Sequence, residues 1–184
     1  KKISIKKKKT KLRKVKKNFL YPAPYDSHKN HFNLLKSFKN LSNIDARLYL
    51  TLENKDFKVL VNKLNLNRKD LKNIKNLGVV SYLKLQKYYK SCNLIFPSYL
   101  ESSGLPLYEG FVNGSVIFAS NKNFVTDNFK NIITFNPNNY NSIRKSIELG
   151  FKKNVNRITF KVNKKFIYSG EKFLKKIVLN NDIS

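Results

Sequence analysis

The sequence has no methionine, no tryptophan, one cysteine and two histidines in 184 residues. A lone thiol, Cys92, excludes an internal disulfide and a cysteine-rich zinc site, and it fits a reducing compartment. His28 and His31 are too few for a histidine-based metal cluster. No apolar run approaches the roughly 20 residues that a membrane span needs. Acids are scarce too: 11 stand against 38 Lys and Arg, for a formal charge of +27. Hydrophobic residues make up 41%, too many for a wholly disordered basic chain. A folded domain with an unusual charge is therefore expected.

Such a charge first suggests a nucleic-acid or membrane-surface binder. The kind of excess argues against specific nucleic-acid recognition. Of the 38 basic residues 33 are Lys and 5 are Arg, whereas Arg is the residue of bidentate phosphate and base contacts. Lys, Asn, Ile, Phe and Tyr together exceed half the chain. All five have A/T-rich codons, so coding bias explains much of the lysine. The charge is also uneven. Residues 1–17 hold 11 Lys and Arg and no acid, which predicts a flexible, solvated lead-in. Residues 91–143 hold only Lys122 and Lys130 against Glu101, Glu109 and Asp127. A packed core, or a site with particular side-chain needs, would exclude lysine there.

Apolar runs and helical spacing alternate along the chain. Strands are expected at Phe19–Ala23, Ala46–Leu52, Ile74–Val80, Asn93–Phe96, Ser115–Ala119 and Ile132–Phe135. Helices are expected from His28 to Leu41 behind a Ser27 cap, over Asp56–Leu64, from Tyr82 to Ser91 behind Ser81, over Leu105–Val112, Tyr140–Phe151 and Asn163–Leu179. This order predicts an α/β fold, a Rossmann-like doubly wound parallel sheet with helices on both faces. Ligands of such sheets sit beyond the carboxyl ends of the strands. The loops Ala23–Ser27 and Pro97–Gly104 both lie at such ends.

The second loop runs into PSYLESSGLPLYEGFVNGSVIFAS, residues 97–120. Gly104 lets a ligand approach the backbone. Pro106 stands in the first helical turn, where its missing N–H does no harm. The helix start offers unpaired N–H groups and the positive dipole end to an anion. Glu101 precedes this start, and Glu109 follows it by about one turn. An anion cradle flanked by two carboxylates suits a ligand with phosphates and hydroxyls.

ESSGLPLYE resembles the E-x7-E signature of the family-4 retaining glycosyltransferases, group 1 glycosyl transferases of the two-domain GT-B fold. LGVVSYLKLQKYYKSCNLIFPS, residues 77–98, is similar to the family's Leu-Gly, helix and strand ending in Pro-Ser. NGSVIFAS is similar to its Gly-x-Pro-Val segment, with Ser115 at the Pro position. FLYPAPYDSHKNH, residues 19–31, resembles the first strand and loop of the family's C-terminal domain. The match covers roughly residues 18–152, in the right order.

The resemblance implies a nucleotide-diphosphate sugar as donor and a glycan or lipid-linked sugar as acceptor, in polysaccharide biosynthesis. It implies that Lys29 binds the donor diphosphate, that Glu101 contacts the donor sugar and acts with Lys29 in catalysis, and that Glu109 holds the ribose hydroxyls. Gly104 and Leu105 would meet sugar and distal phosphate through their backbone, and Val80 would meet the base. An Arg that the family commonly carries six residues before the Lys is Ala23 here. Neither a metal nor another cofactor is expected, because Lys29 and the helix start can neutralise the leaving diphosphate. Three segments are expected: a linker over 1–17, a nucleotide-sugar-binding domain over 18–152, and a helical extension over 153–184. The whole reads as the C-terminal donor half of a cytoplasmic enzyme, with the acceptor domain in a missing N-terminal domain or a partner subunit. The surplus lysines would aid peripheral contact with the anionic inner face of a membrane. The competing reading is a non-catalytic basic module for RNA or an anionic membrane surface, whose binding would weaken steeply with salt.

Overall fold

The computed structural model describes residues 14–41 and 44–152, and the backbone of residues 159 and 160. The helix expected over 163–179 lies outside these residues, as do residues 1–13 of the basic stretch. The chain runs through β1 (Asn18–Tyr21), α1 (His31–Lys39), β2 (Arg47–Leu50), α2 (Asn54–Lys63), α3 (Arg68–Leu71) and β3 (Ile74–Asn76). It continues through α4 (Tyr82–Ser91), β4 (Asn93–Phe96), α5 (Leu105–Val112) and β5 (Ile117–Ser120). After these come α6 (Asn123–Thr126), β6 (Phe129–Lys130), β7 (Ile133–Phe135), α7 (Tyr140–Lys152) and β8 (Thr159–Phe160).

Six strands form one parallel sheet in the order β3-β2-β1-β4-β5-β7. β6 and β8 make a separate antiparallel pair. The central strands β4 (NLIF) and β5 (IFAS) are buried at every position, as continuous runs covered on both faces must be. The edge strand β3 alternates, with only Ile74 buried. This is the doubly wound, Rossmann-like arrangement expected from the alternating pattern.

Aromatic rings seat the helices on one face. Phe19 of β1 packs edge-on to Phe38 of α1 at 5.8 Å and to Phe118 of β5 at 5.1 Å, and reaches Phe151 of α7 at 6.2 Å. Burying one such ring is worth roughly 1.5–3 kcal/mol. On the other face α5 lies so close to β4 that a Cβ on Gly110 would stand 2.8 Å from Leu94 Cδ2. At the amino-terminal edge Val15 is buried, and the Lys16 N–H donates to Asn93 Oδ1 at 3.1 Å.

Two boundaries and one added element differ from expectation for identifiable reasons. The first helix begins at His31, because Asp26 rather than Ser27 caps a short 3-10 turn over Ser27–Lys29 and Asn30 then takes a left-handed conformation, φ 59°. β3 stops at Asn76, whose side chain continues the ladder by accepting from the Leu52 N–H at 3.0 Å and donating to the Leu52 carbonyl at 2.9 Å. The turn α3 was not expected, although Asn67 and Asp70 form a complete capping box. Elsewhere local signals match. Ser81 caps α4. Gly114, at φ 76°, ends α5 with Gly114 N–H to Phe111 O and Ser115 N–H to Gly110 O, the paired bonds of a Schellman motif.

Gly150 of α7 lies against the sheet, and a Cβ there would stand 2.6 Å from Phe118 Cζ. Alanine favours a helix over glycine by up to about 1 kcal/mol, but overpacking costs about 1–3 kcal/mol. Gly150→Ala is therefore expected to lower stability by about 1–2 kcal/mol, read as an earlier midpoint in urea denaturation. An unchanged midpoint would mean that Phe118 gives way freely.

Candidate functional site

β1 and β4 are adjacent and parallel, with Phe19 opposite Asn93 and Leu20 opposite Leu94. From β1 the sheet extends to β2 on one side, and from β4 to β5 on the other. The connections leaving the two strands therefore part over their carboxyl ends, which opens the crevice of a doubly wound sheet.

Polar side chains form the floor of this crevice. The Tyr21 hydroxyl donates to the Lys29 carbonyl at 2.7 Å and shares a hydrogen bond with Ser98 Oγ at 3.1 Å. Burial pushes this phenol far above its usual pKa, so it remains a donor. Ser120 Oγ donates to the Ser98 carbonyl at 2.7 Å. Asn30 Nδ2 donates to the carbonyls of Pro97, at 3.0 Å, and Pro137, at 2.8 Å. The Tyr99 N–H donates to the His28 carbonyl at 2.8 Å. These ties hold the loops after β1, β4 and β7 in fixed relation.

Across that floor Lys29 Nζ meets Glu101 Oε1 at 2.7 Å, although 72 residues separate them. Their side chains are only 17% and 9% exposed. Removing either partner would leave a poorly hydrated charge behind, which is the costly way to break such a pair. Gly104 then turns the chain with φ 56° and becomes the cap of α5, with no side-chain cap hydrogen bond of its own. A Cβ on Gly104 would crowd Leu107 Cδ1 at 3.1 Å. Leu105, 47% exposed, and Pro106 form the first turn.

Glu109 follows one turn into α5 and is 9% exposed. The Tyr89 hydroxyl of α4 donates to Glu109 Oε2 at 2.7 Å. Burial raises the carboxyl pKa, and the hydrogen bond from Tyr89 offsets part of that rise. The Tyr82 phenol at the start of α4 is raised as well, by desolvation first and by the charge of Glu109 second. Val80 lies half-buried just before the Ser81 cap of α4.

The structure thus brings Lys29 and Glu101 into contact and places Gly104, Leu105 and Glu109 on the helix that follows. Val80 lies just before the neighbouring helix, and among the described residues no hydrogen bond or ion pair links it to the other five. Ala23, at the family's Arg position, is buried. Ser115 has two uses that proline could not serve: its N–H bonds the Gly110 carbonyl at 2.8 Å and its Oγ donates to the Tyr89 carbonyl at 2.7 Å. Sequence reasoning missed the parts played by Asp26, Asn30 and Tyr89. Asp26 had a local signal in its place ahead of the turn, whereas the partners of Asn30 and Tyr89 are far along the chain. His31 is buried beside Tyr21, ring centres 4.8 Å apart, and burial pushes its pKa down to about 4, so it is neutral. Cys92 is buried. A groove of about 590 Å³ along α4, lined by Ser81, Leu83, Lys84, Lys87, Tyr88 and Ser91, contains none of the candidate residues. Among the described residues no group of three or more His, Cys, Asp or Glu is placed to hold a metal, and no helix is long and apolar enough to cross a membrane.

Together these elements define a Rossmann-like domain whose crevice lies over the carboxyl ends of β1 and β4. Residues 2–173 match the family described as glycosyl transferases group 1, and the chain belongs to that family. No curated protein matches it by sequence. Solved structures share its fold. A glycosyltransferase from Rickettsia africae ESF-5 aligns with TM-score 0.63 and 23% identity, over 75% of this chain and 38% of that one. Anabaena Alr3699/HepE, in complex with UDP and glucose, aligns with TM-score 0.60 and 13% identity, over 73% and 38%. The C-terminal domain of a group 1 family protein (LpcC) from Francisella tularensis aligns with TM-score 0.59 and 14% identity, over 77% and 78%. The chain thus spans under two fifths of the first two proteins and most of an isolated C-terminal domain. Its fold is that of the C-terminal half of a GT-B glycosyltransferase.

The buried carboxylate of Glu109 makes a stability prediction. Its folded-state pKa is raised, so ionisation opposes folding; the cost is absent below the unfolded pKa and complete above the folded one. Glu109→Gln keeps an acceptor for Tyr89 and removes the charge. It is expected to melt higher than the parent chain at pH 7, with the gap narrowing as the pH falls through the raised folded-state pKa and gone below about 4, near the ordinary Glu value. Equal melting temperatures at pH 7 would contradict this.

Proposed function

We propose that the crevice binds a nucleotide-diphosphate sugar and that the chain is the donor half of a retaining glycosyltransferase of the family-4 type. One observation carries this reading: Lys29 pairs at 2.7 Å with Glu101, three residues ahead of the Gly104 cap of α5, which makes no side-chain cap bond, and Glu109 lies one turn further in. The diphosphate takes Lys29 from Glu101 and lies against the backbone N–H groups of Gly104 and Leu105, where the helix dipole favours negative charge. Glu101, released from Lys29, accepts from a hydroxyl of the donor sugar. Glu109 accepts from the ribose hydroxyls, and Val80 meets the base through its backbone.

As the glycosidic bond to phosphate lengthens, negative charge grows on the departing diphosphate. Lys29 and the α5 start are already in place to meet it, and fixed dipoles aimed at developing charge are an efficient form of catalysis. The acceptor, a glycan or lipid-linked sugar, attacks from the face the diphosphate leaves, so the anomeric configuration is retained. A second domain holds that acceptor. The Anabaena neighbour, which carries UDP and glucose, supports a donor of this class.

Calorimetric titration with UDP-, ADP- and GDP-linked sugars tests the reading. At least one is expected to bind. Lys29→Ala and Glu109→Ala are each expected to weaken it tenfold or more, about 1.4 kcal/mol, with circular dichroism unchanged. Affinity is expected to vary little between 50 and 200 mM salt, about the range over which phosphate-backbone binders lose orders of magnitude. Absence of binding by all three, together with steeply salt-dependent binding of RNA or anionic vesicles, would refute it.

A further inference from the structure

Tyr89 is fully buried, and its hydroxyl donates to Glu109 Oε2 at 2.7 Å. Both groups need this bond, since a buried phenol and a buried carboxylate each lose water on folding. The helices that carry them are pinned on either side of the contact. Ser115 Oγ donates to the carbonyl of Tyr89 itself, at 2.7 Å. The Ser115 N–H bonds the carbonyl of Gly110, the residue next to Glu109, at 2.8 Å. Gly110 in turn sits hard against Leu94 of β4. Neither the tyrosine nor the glutamate can shift without breaking a bond at its own backbone or at its neighbour's.

We propose that Tyr89 is the positioning residue for the nucleoside end of the site: by engaging Oε2 it fixes the plane of the Glu109 carboxylate so that the remaining acceptor positions face the ribose hydroxyls. The inference rests on the donor-site reading above and assigns Tyr89 a part in it beyond helix packing. A carboxylate offers about four acceptor positions, so one buried bond leaves enough for a vicinal diol. Holding the rotamer before the ligand arrives removes an ordering cost from binding. Among the described residues Tyr82 and Tyr89, both on α4, interact with the charge of Glu109.

The test uses Tyr89→Phe, which keeps the ring and removes one oxygen, with Glu109→Gln as reference. Whichever of UDP, ADP and GDP binds the parent chain best is titrated beside its 2′-deoxy form, from pH 4 to 8. The parent is expected to prefer the ribose form. In Tyr89→Phe the ribose form is expected to bind about three- to tenfold more weakly, the 2′-deoxy form little changed. The acid limb of ribonucleotide binding should move to higher pH, because the lost hydrogen bond had lowered the Glu109 pKa. Glu109→Gln should lose both the preference and the acid limb. If Tyr89→Phe keeps the parent's preference and pH midpoint while Glu109→Gln loses them, the positioning role is overturned and the donor site stands. If Glu109→Gln also keeps them, or no nucleotide binds, the donor-site reading falls and takes this role with it. A thermal melt of Tyr89→Phe separates loss of fold from loss of binding, and a equal loss for ribose and 2′-deoxy forms would mark a structural effect and overturn the role.

Discussion

The neighbouring strands β1 and β4 part company at their carboxyl ends, and the rest of the site depends on that parting. A parallel sheet wound outward in both directions from its middle leaves a gap where the first crossovers diverge. Into it the chain brings two loops that are distant in sequence. Their backbones would be costly to bury unpaired. Tyr21, Asn30, Ser98 and Ser120 supply the hydrogen bonds, and through them the main chain carrying Lys29 is held against the loop carrying Glu101. The ion pair is a consequence of this floor as much as of its own attraction.

Net charge is a poor guide to where the candidate site lies. Most of its lysines lie outside residues 91–143, while the ion pair at the crevice joins Lys29 to Glu101. Glu109 illustrates the opposing demands of a site. Its burial makes ionisation unfavourable, yet an ionised, oriented carboxylate is what the hydroxyls of a ligand require. Tyr89 meets part of that cost without supplying a charge.

Two departures from the family pattern have different structural consequences. Ala23, in place of the common Arg, is buried and adds no cation. Ser115, in place of the common Pro, contributes an N–H and a hydroxyl that join the ends of α4 and α5. The second departure adds a brace between the two helices that carry the proposed nucleoside contacts.

Much of the architecture was legible in the chain itself, because its signals are local. Continuous apolar runs marked β4 and β5, Ser81 marked the start of α4, and Gly104 and Gly114 bracketed α5. Lys29, Glu101 and Glu109 were singled out through motif resemblance, which rests on short-range spacing. Boundaries failed where a side chain imitated the backbone, as Asn76 does at the end of β3, or where a left-handed Asn30 delayed α1. Sequence alone determined the alternation, the caps and the candidate charges, all decided by residues a few places apart. The tertiary structure alone decided that Lys29 faces Glu101 across 72 residues, that Asn30 bonds two distant prolines' carbonyls, and that Tyr89 reaches Glu109. Those contacts have no local spacing to announce them, since they exist only once the sheet has brought the loops and helices together.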